Sequence, residues 1–167
     1  MMPATATPLL RALADRGRIF TAADATAIGK EALRLDSKSV ADALQRLTRD
    51  RLLQRVRRGT YVVSSPGLPP LHSFVIASAL TEDAVVSGWA ALHHHGLTEQ
   101  IPRITEVMTT RRVRDLPVVH GRHVLAFEGA RFEVLHVVAS RVFGIESLWF
   151  ESQRGRVLDK ERAVRVL

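Results

Sequence analysis

A proline-rich segment divides the chain into two parts. Residues 64–70 read Ser-Ser-Pro-Gly-Leu-Pro-Pro, which places three prolines and one glycine within seven residues. Because proline lacks a backbone N–H and fixes φ, neither a helix nor a central strand can continue through this segment. The sequence therefore predicts a first domain over residues 1–64, a linker over 65–71 and a second domain over 72–167.

The positive charge of the chain is concentrated before this linker. Residues 1–64 hold twelve Lys or Arg and six Asp or Glu, and so carry +6 of the net charge of +7. Residues 65–167 hold twelve basic and eleven acidic residues. Codon bias can explain why Arg outnumbers Lys 21 to 3, but it does not explain why bases outweigh acids in one part only. The asymmetry favours nucleic acid as a partner of the first domain.

The first domain has the pattern of three helices followed by a basic hairpin. The helices are predicted over Pro8–Arg16, from the N-cap Thr21 to a close near Gly29, and from Asp36 or Ser37 to about Arg51. The third helix repeats its apolar residues in the i, i+3, i+4, i+7 pattern of one buried face, at Val40, Ala43, Leu44 and Leu47. Strands over Leu52–Arg57 and Thr60–Val63 then flank a turn at Arg58-Gly59. This order is that of a winged helix-turn-helix domain.

The candidate DNA-contacting residues lie on the third helix and on the hairpin. Exposed residues of a recognition helix read base edges in the major groove, where Gln and Arg make bidentate contacts, while Ser and Lys also bind phosphates. Arg55 and Arg57 are expected to share one strand face at period two, next to Arg58. Asp42 would repel phosphate unless it meets a cytosine amine or an arginine. The alternatives are an ordinary solvated helix face and a charged strand that guards a sheet edge. The full set of candidates is Ser37, Lys38, Ser39, Gln45, Arg46, Arg49, Arg55, Arg57, Arg58 and Thr60.

The second domain mixes helical and strand patterns, so the fold class predicted for the chain is α+β. Helices are expected over His72–Leu80 and Gly88–His95, and strands over Ile104–Thr110, His123–Phe127, Arg131–Val138 and Ser147–Phe150. Residues 131–137 alternate between polar and apolar and should be half-buried. Trp89, Phe143 and Trp149 are interpreted as core residues, with Trp89 and Leu92 on one helix face.

Several segments carry a more specific pattern. Residues 57–62 read RRGTYV, and residues 87–102 read SGWAALHHHGLTEQIP before the strand at 107–110. Together with Phe143-Gly144 and Asp159–Ala163, these segments resemble the AbiEi-type antitoxins of the AbiE (abortive infection) type IV toxin–antitoxin systems. The resemblance extends over most of the chain, and residues 87–102 are its most specific part.

The resemblance implies a winged-helix repressor. In that family the first domain binds double-stranded DNA at the promoter of its own operon, and the second domain counteracts a nucleotidyltransferase-like toxin without forming a stable complex with it. The family's Glu-Arg element, here Glu161-Arg162, normally opens further helices. We therefore expect the second domain to be incomplete at Leu167, and we expect DNA binding to be retained.

The sequence predicts no enzyme, metal or cofactor site. His93, His94 and His95 point about 100° apart on a helix, so they cannot share one ion, and no HExxH motif or cysteine accompanies them. The absence of cysteine fits a cytoplasmic protein, and no apolar run approaches the length of a membrane span.

Two other functions stay open at this point. One is a plain winged-helix regulator whose second domain senses a ligand or a protein. The other is a relative of winged-helix–nuclease fusions, which would need Asp, Glu and Lys clustered on adjacent strands around Mg²⁺. Glu128, Glu133 and Glu151 are scattered along the sequence, and Lys160 is the single lysine after Lys38.

Overall fold

A computed structural model of the protein describes residues 5–150 and 153–166. The chain divides into two compact units between Pro69 and Pro70, inside the segment predicted as a linker. Both units contain helices and strands, which confirms the mixed α and β class. Within the described ranges, no helix is long and apolar enough to cross a membrane.

The first unit consists of three helices and a three-stranded antiparallel sheet of order β1-β3-β2. Its elements are α1 (Ala6–Arg16), β1 (Ile19–Thr21), α2 (Ala22–Leu33), α3 (Ser37–Arg49), β2 (Leu53–Arg57) and β3 (Thr60–Val63). Strand β1 was not predicted. It has three residues, too few to show a period, and it forms because β3 supplies its partners.

Helix α2 begins where predicted but ends later. Thr21 and Asp24 form a capping box, in which the Thr21 hydroxyl accepts from the Asp24 N–H at 3.1 Å. The helix passes through Gly29 and ends at Leu33, and the capping residue Arg34 has a left-handed φ of 55°. Gly29 is buried, and a Cβ there would come within 2.6 Å of a Val40 methyl group. The prediction that the helix closes near Gly29 is therefore wrong, because this glycine allows α2 and α3 to pack closely.

Helix α3 buries the predicted face. Val40, Ala43, Leu44 and Leu47 are each less than 5% exposed, and they pack with Leu9 and Leu13 of α1 in one core. The Asp36 carboxylate caps the helix by accepting from the Ser39 N–H at 2.7 Å. The helix ends at Arg49 rather than Arg51, since Arg51 adopts a left-handed φ of 60°.

The second unit is built on a seven-stranded mixed sheet of order β6-β7-β8-β5-β4-β10-β9. Its strands are β4 (Val85–Ser87), β5 (Thr105–Thr109), β6 (Val118–Val119), β7 (Arg122–Phe127), β8 (Ala130–His136), β9 (Ile145–Phe150) and β10 (Gln153–Leu158). The helices are α4 (Ser73–Ser78), α5 (Gly88–His94) and α6 (Lys160–Val166), with a 3-10 turn at Ala139–Arg141.

The sequence missed β4, β6, β10 and α6 but located β8 correctly. Strand β8 alternates as predicted, because Phe132 and Val134 are each 1% exposed while Arg131 and Leu135 are exposed. Strand β4 is buried on both faces between β5 and β10, so it has no alternation to detect.

The three aromatic residues predicted to lie in the core do not. Trp89 is 46% exposed, Phe143 51% and Trp149 70%. Helix α5 buries Ala90, Ala91 and Leu92 instead, and leaves Trp89 on its outer side. Trp149 lies on β9, which is an edge strand, and Phe143 lies under the guanidinium of Arg162 at 4.1 Å. These aromatic side chains are therefore available at the surface of the unit.

A carboxylate ties two strands of this sheet together. Asp83, just before β4, accepts hydrogen bonds from the Thr109 hydroxyl at 2.6 Å and from the Thr110 N–H at 2.9 Å. Burial opposes ionisation of Asp83, but the hydrogen bonds from Thr109 and Thr110 outweigh it and lower the pKa of this carboxyl to about 2. Asp83 thus holds the start of β4 against the end of β5 as an anion.

Candidate nucleic-acid interface

The outer face of α3 carries the central group of candidate residues. Lys38, Gln45 and Arg49 are all exposed. Because successive helix residues are about 100° apart, these three side chains lie opposite the buried face. Together with Asp42 they span an arc of about 60°. The face therefore offers two cations and one amide, with one carboxylate among them. Its chemistry suits base edges and phosphates better than an apolar partner.

The serines at the start of α3 differ in what they can do. A hydrogen bond from the Ser39 hydroxyl, and to a lesser extent one from its backbone N–H, lower the pKa of Asp36. Ser39 is half-buried at this cap. Ser37 is exposed and lines a cleft of about 450 Å³ with Lys30 and Arg34 of α2.

Arg46 lies to one side of the central stripe. It is exposed, and with Ser39 and Asp42 it lines a small cleft of about 140 Å³ beside Thr5 and Ala6 at the start of α1. A contact from Arg46 would therefore be made at the flank of the helix, next to α1, rather than at its centre.

The hairpin presents its arginines less regularly than predicted. Its two-residue turn uses Gly59 at φ +77°, and Arg57 pairs with Thr60 across it. The register between β2 and β3 shifts between Arg55 and Arg57, and Val56 between them is 5% exposed. The prediction that Arg55 and Arg57 share one face at period two is wrong, because the irregularity breaks the alternation. Arg55 and Arg58 are nevertheless exposed, and Arg57 is half-buried.

Thr60 is the one candidate that the fold removes from the surface. It is 4% exposed and lies in the central strand of the sheet, opposite Thr21 of β1 on one side and Arg57 of β2 on the other. Its side chain has no free surface to offer a ligand. Sequence reasoning placed it in the interface because it follows the turn directly.

Three basic residues near α3 were missed. Lys30 and Arg34 are exposed beside the start of α3, and Arg51 is exposed just after its end. All three are near α3 in sequence, but the fold is needed to show that the end of α2 approaches the helix. The available signal was their position at the two junctions that flank the third helix.

No family model matches this chain, and no curated protein is similar enough to count as a relative. No matched relative therefore bears on the function of this chain.

The residues considered for metal or nuclease chemistry are dispersed. In the described part of the chain, no three His, Asp or Glu side chains are grouped so that they could hold a metal ion. His95 Nε2 lies 2.7 Å from the Leu158 carbonyl oxygen, and Glu128 is in an exposed turn. Glu133 lies on β8 directly opposite Glu106 on β5, a neighbour that sequence reasoning did not consider. Glu151 lies outside the described residues.

Proposed function

We propose that the first unit is a winged helix-turn-helix that binds double-stranded DNA and acts in transcriptional control. Its order of helix, short strand, two helices and a hairpin matches that architecture. The observation that carries the proposal is the polar and basic face of α3, which lies directly opposite its buried face. In this arrangement α3 enters the major groove and the β2–β3 hairpin follows the phosphate backbone.

The residues divide into two roles. Gln45 and Arg49, at the centre of the outer face, read base edges, and Lys38 serves either bases or phosphate. Arg55, Arg57 and Arg58 on the hairpin neutralise phosphates. Asp42 disfavours a phosphate in its own position and selects for a cytosine amine there, or pairs with a nearby arginine.

The wider role follows the resemblance to AbiEi-type antitoxins. On that basis the protein represses its own operon in the cytoplasm, and its second unit counteracts a nucleotidyltransferase-like toxin without a stable complex. Co-expression tests this part: the protein should restore growth of cells that express a toxin gene found next to its own. Repression without rescue would favour a regulator whose second unit senses a ligand or protein, and Mg²⁺-dependent DNA cleavage would favour a nuclease.

The hairpin arginines should control the salt dependence of DNA binding. Replacing Arg55, Arg57 and Arg58 together with Ala should weaken binding to every DNA sequence, because each neutralised phosphate releases counterions. The slope of log affinity against log salt should fall by roughly 0.9 for each phosphate that is no longer neutralised. Fluorescence anisotropy titrations at several salt concentrations measure the slope.

The control replaces Arg11 and Arg16, which are exposed on α1, with Ala. This double variant lowers the net charge but leaves the hairpin unchanged. Its slope of log affinity against log salt should therefore stay close to that of the parent protein. An unchanged slope in the hairpin variant would show that the hairpin does not contact the phosphate backbone of the DNA.

The outer face of α3 should control sequence discrimination. Gln45→Ala and Arg49→Ala should each reduce the preference for operator over random DNA by about 1–3 kcal/mol wherever the native side chain binds a base edge in bidentate fashion. Competition binding with the two DNAs measures the preference, and Arg11→Ala serves as the matched control. Equal losses of affinity on both DNAs would assign these residues to phosphates and leave specificity to DNA shape.

A further inference from the structure

The second unit carries an open groove on one face of its sheet. The groove consists of two adjoining clefts of about 510 and 530 Å³, and Ile104 and Glu133 line both of them. Most of its walls are apolar, with Trp89 and Ile101 at one end and Pro117 and Val124 at the other. Trp89 is 46% and Ile101 80% exposed, so this end of the groove opens to solvent.

Two carboxylates line the groove, and one guanidinium bridges them. Glu106 and Glu133 face each other on the parallel strands β5 and β8. Arg122 of β7 lies 3.2 Å from Glu106 Oε1 and 2.8 Å from Glu133 Oε2. The Trp89 backbone N–H donates to the other Glu106 oxygen at 2.7 Å. One guanidinium nitrogen, Nη1, is therefore shared between two carboxylates.

The arginines at the rim of the groove do not form ion pairs with these carboxylates. Arg103 and Arg131 line the groove and are exposed. Among the described residues, Arg122 is the one cation within ion-pair distance of Glu106 or Glu133. Both carboxylates are only about a quarter exposed, at 24% and 26%, so solvent screens them less than it screens the rim.

We infer that this groove binds an extended segment of a partner protein in which one Lys or Arg lies between apolar residues. The cation pairs with Glu133, which lines both clefts and shares Arg122 with Glu106. The apolar neighbours pack against Trp89 on one side and Pro117 and Val124 on the other. A segment of chain fits an open groove of this kind, since small-molecule sites enclose most of their ligand. This binding site is separate from the DNA surface proposed for the first unit.

Trp89 provides a direct readout of occupancy. The chain has two tryptophans, so Trp149→Phe in the full chain leaves Trp89 as the single tryptophan, at the mouth of the groove. The probe is a capped five-residue peptide with a lysine between two pairs of leucines. Its titration should change Trp89 emission in a saturable way. A peptide with norleucine in place of lysine should bind about tenfold more weakly, because it lacks a charge-assisted hydrogen bond to Glu133.

A double-mutant cycle tests the pairing itself. Glu133→Gln should weaken the lysine peptide about tenfold and leave the norleucine peptide unchanged. Glu128→Gln, in the exposed turn between β7 and β8, removes the same charge outside the groove and should change neither affinity. Thermal unfolding of each variant verifies that the fold is retained.

Three results would overturn the inference. The first is no change of Trp89 emission at millimolar lysine peptide, and the second is equal affinity for the lysine and norleucine peptides. The third is binding of butylamine as tightly as the lysine peptide, which would make the groove a site for small amines rather than for a protein segment.

Discussion

Gly88→Ala should lower the free energy of unfolding of the second unit by roughly 3 kcal/mol. Gly88 has a φ of +57°, which costs an alanine about 1 kcal/mol. An added Cβ would also collide with the Glu106 carboxylate, which accepts hydrogen bonds from the Trp89 backbone N–H and from Arg122. Moving the carboxylate aside breaks the hydrogen bonds that it accepts from Trp89 and Arg122, which costs a further 1–3 kcal/mol, roughly. Both tryptophans lie in this unit, so their emission during urea unfolding measures the loss of stability selectively.

The matched control is Gly96→Ala. Gly96 has a similar φ of +67°, but an added Cβ would meet nothing within 4 Å. This variant should therefore show only the backbone cost of about 1 kcal/mol. Introducing Glu106→Ala into Gly88→Ala should recover part of the stability, because it removes the group that collides. Equal destabilisation by Gly88→Ala and Gly96→Ala would show that the Glu106 carboxylate moves aside without lowering the free energy of unfolding.

Leu47→Ala should remove about 2–5 kcal/mol from the stability of the first unit. Leu47 is 0% exposed on the inner face of α3, so truncation leaves a cavity between α3 and its neighbours. A unit of this size has roughly 3–10 kcal/mol in total, so the variant should be close to unfolding and should lose DNA binding on mild warming. Hydrogen exchange followed by mass spectrometry resolves this unit from the second one.

Gln45→Ala is the control for this prediction. It lies two residues earlier on the same helix but on the exposed face. It should change discrimination between DNA sequences while leaving hydrogen exchange in the first unit close to that of the parent. If Leu47→Ala left exchange unchanged, or if Gln45→Ala accelerated it as much, the assignment of the two faces of α3 would be wrong.

The sequence determined those features that depend on local chemistry. The period of Val40, Leu44 and Leu47 located α3 and its buried face, because a helix places every third or fourth residue on one side. Thr21 and Asp36 marked helix starts, since their side chains satisfy free backbone N–H groups. The prolines after Val63 marked the segment at which the chain divides.

Tertiary structure decided the features that depend on partners distant in sequence. Thr60 looked available after its turn, but it is buried because β1 and β2 pair on both of its sides. Trp89 looked like a core residue, but the small side chains Ala90 and Ala91 fill the inner side of α5 and leave it outside.

The floor of the groove in the second unit shows the same division most clearly. Glu106, Arg122 and Glu133 come from three separate strands, and the sequence marks each only as one charged residue among many. Their proximity depends on the parallel pairing of β5 with β8 and on the β7–β8 hairpin. The periodicity of apolar residues along a strand specifies which of its faces is buried. Strand order and register specify which charged side chains come into contact. That choice is made by the free energy of the whole packed sheet rather than by any local segment.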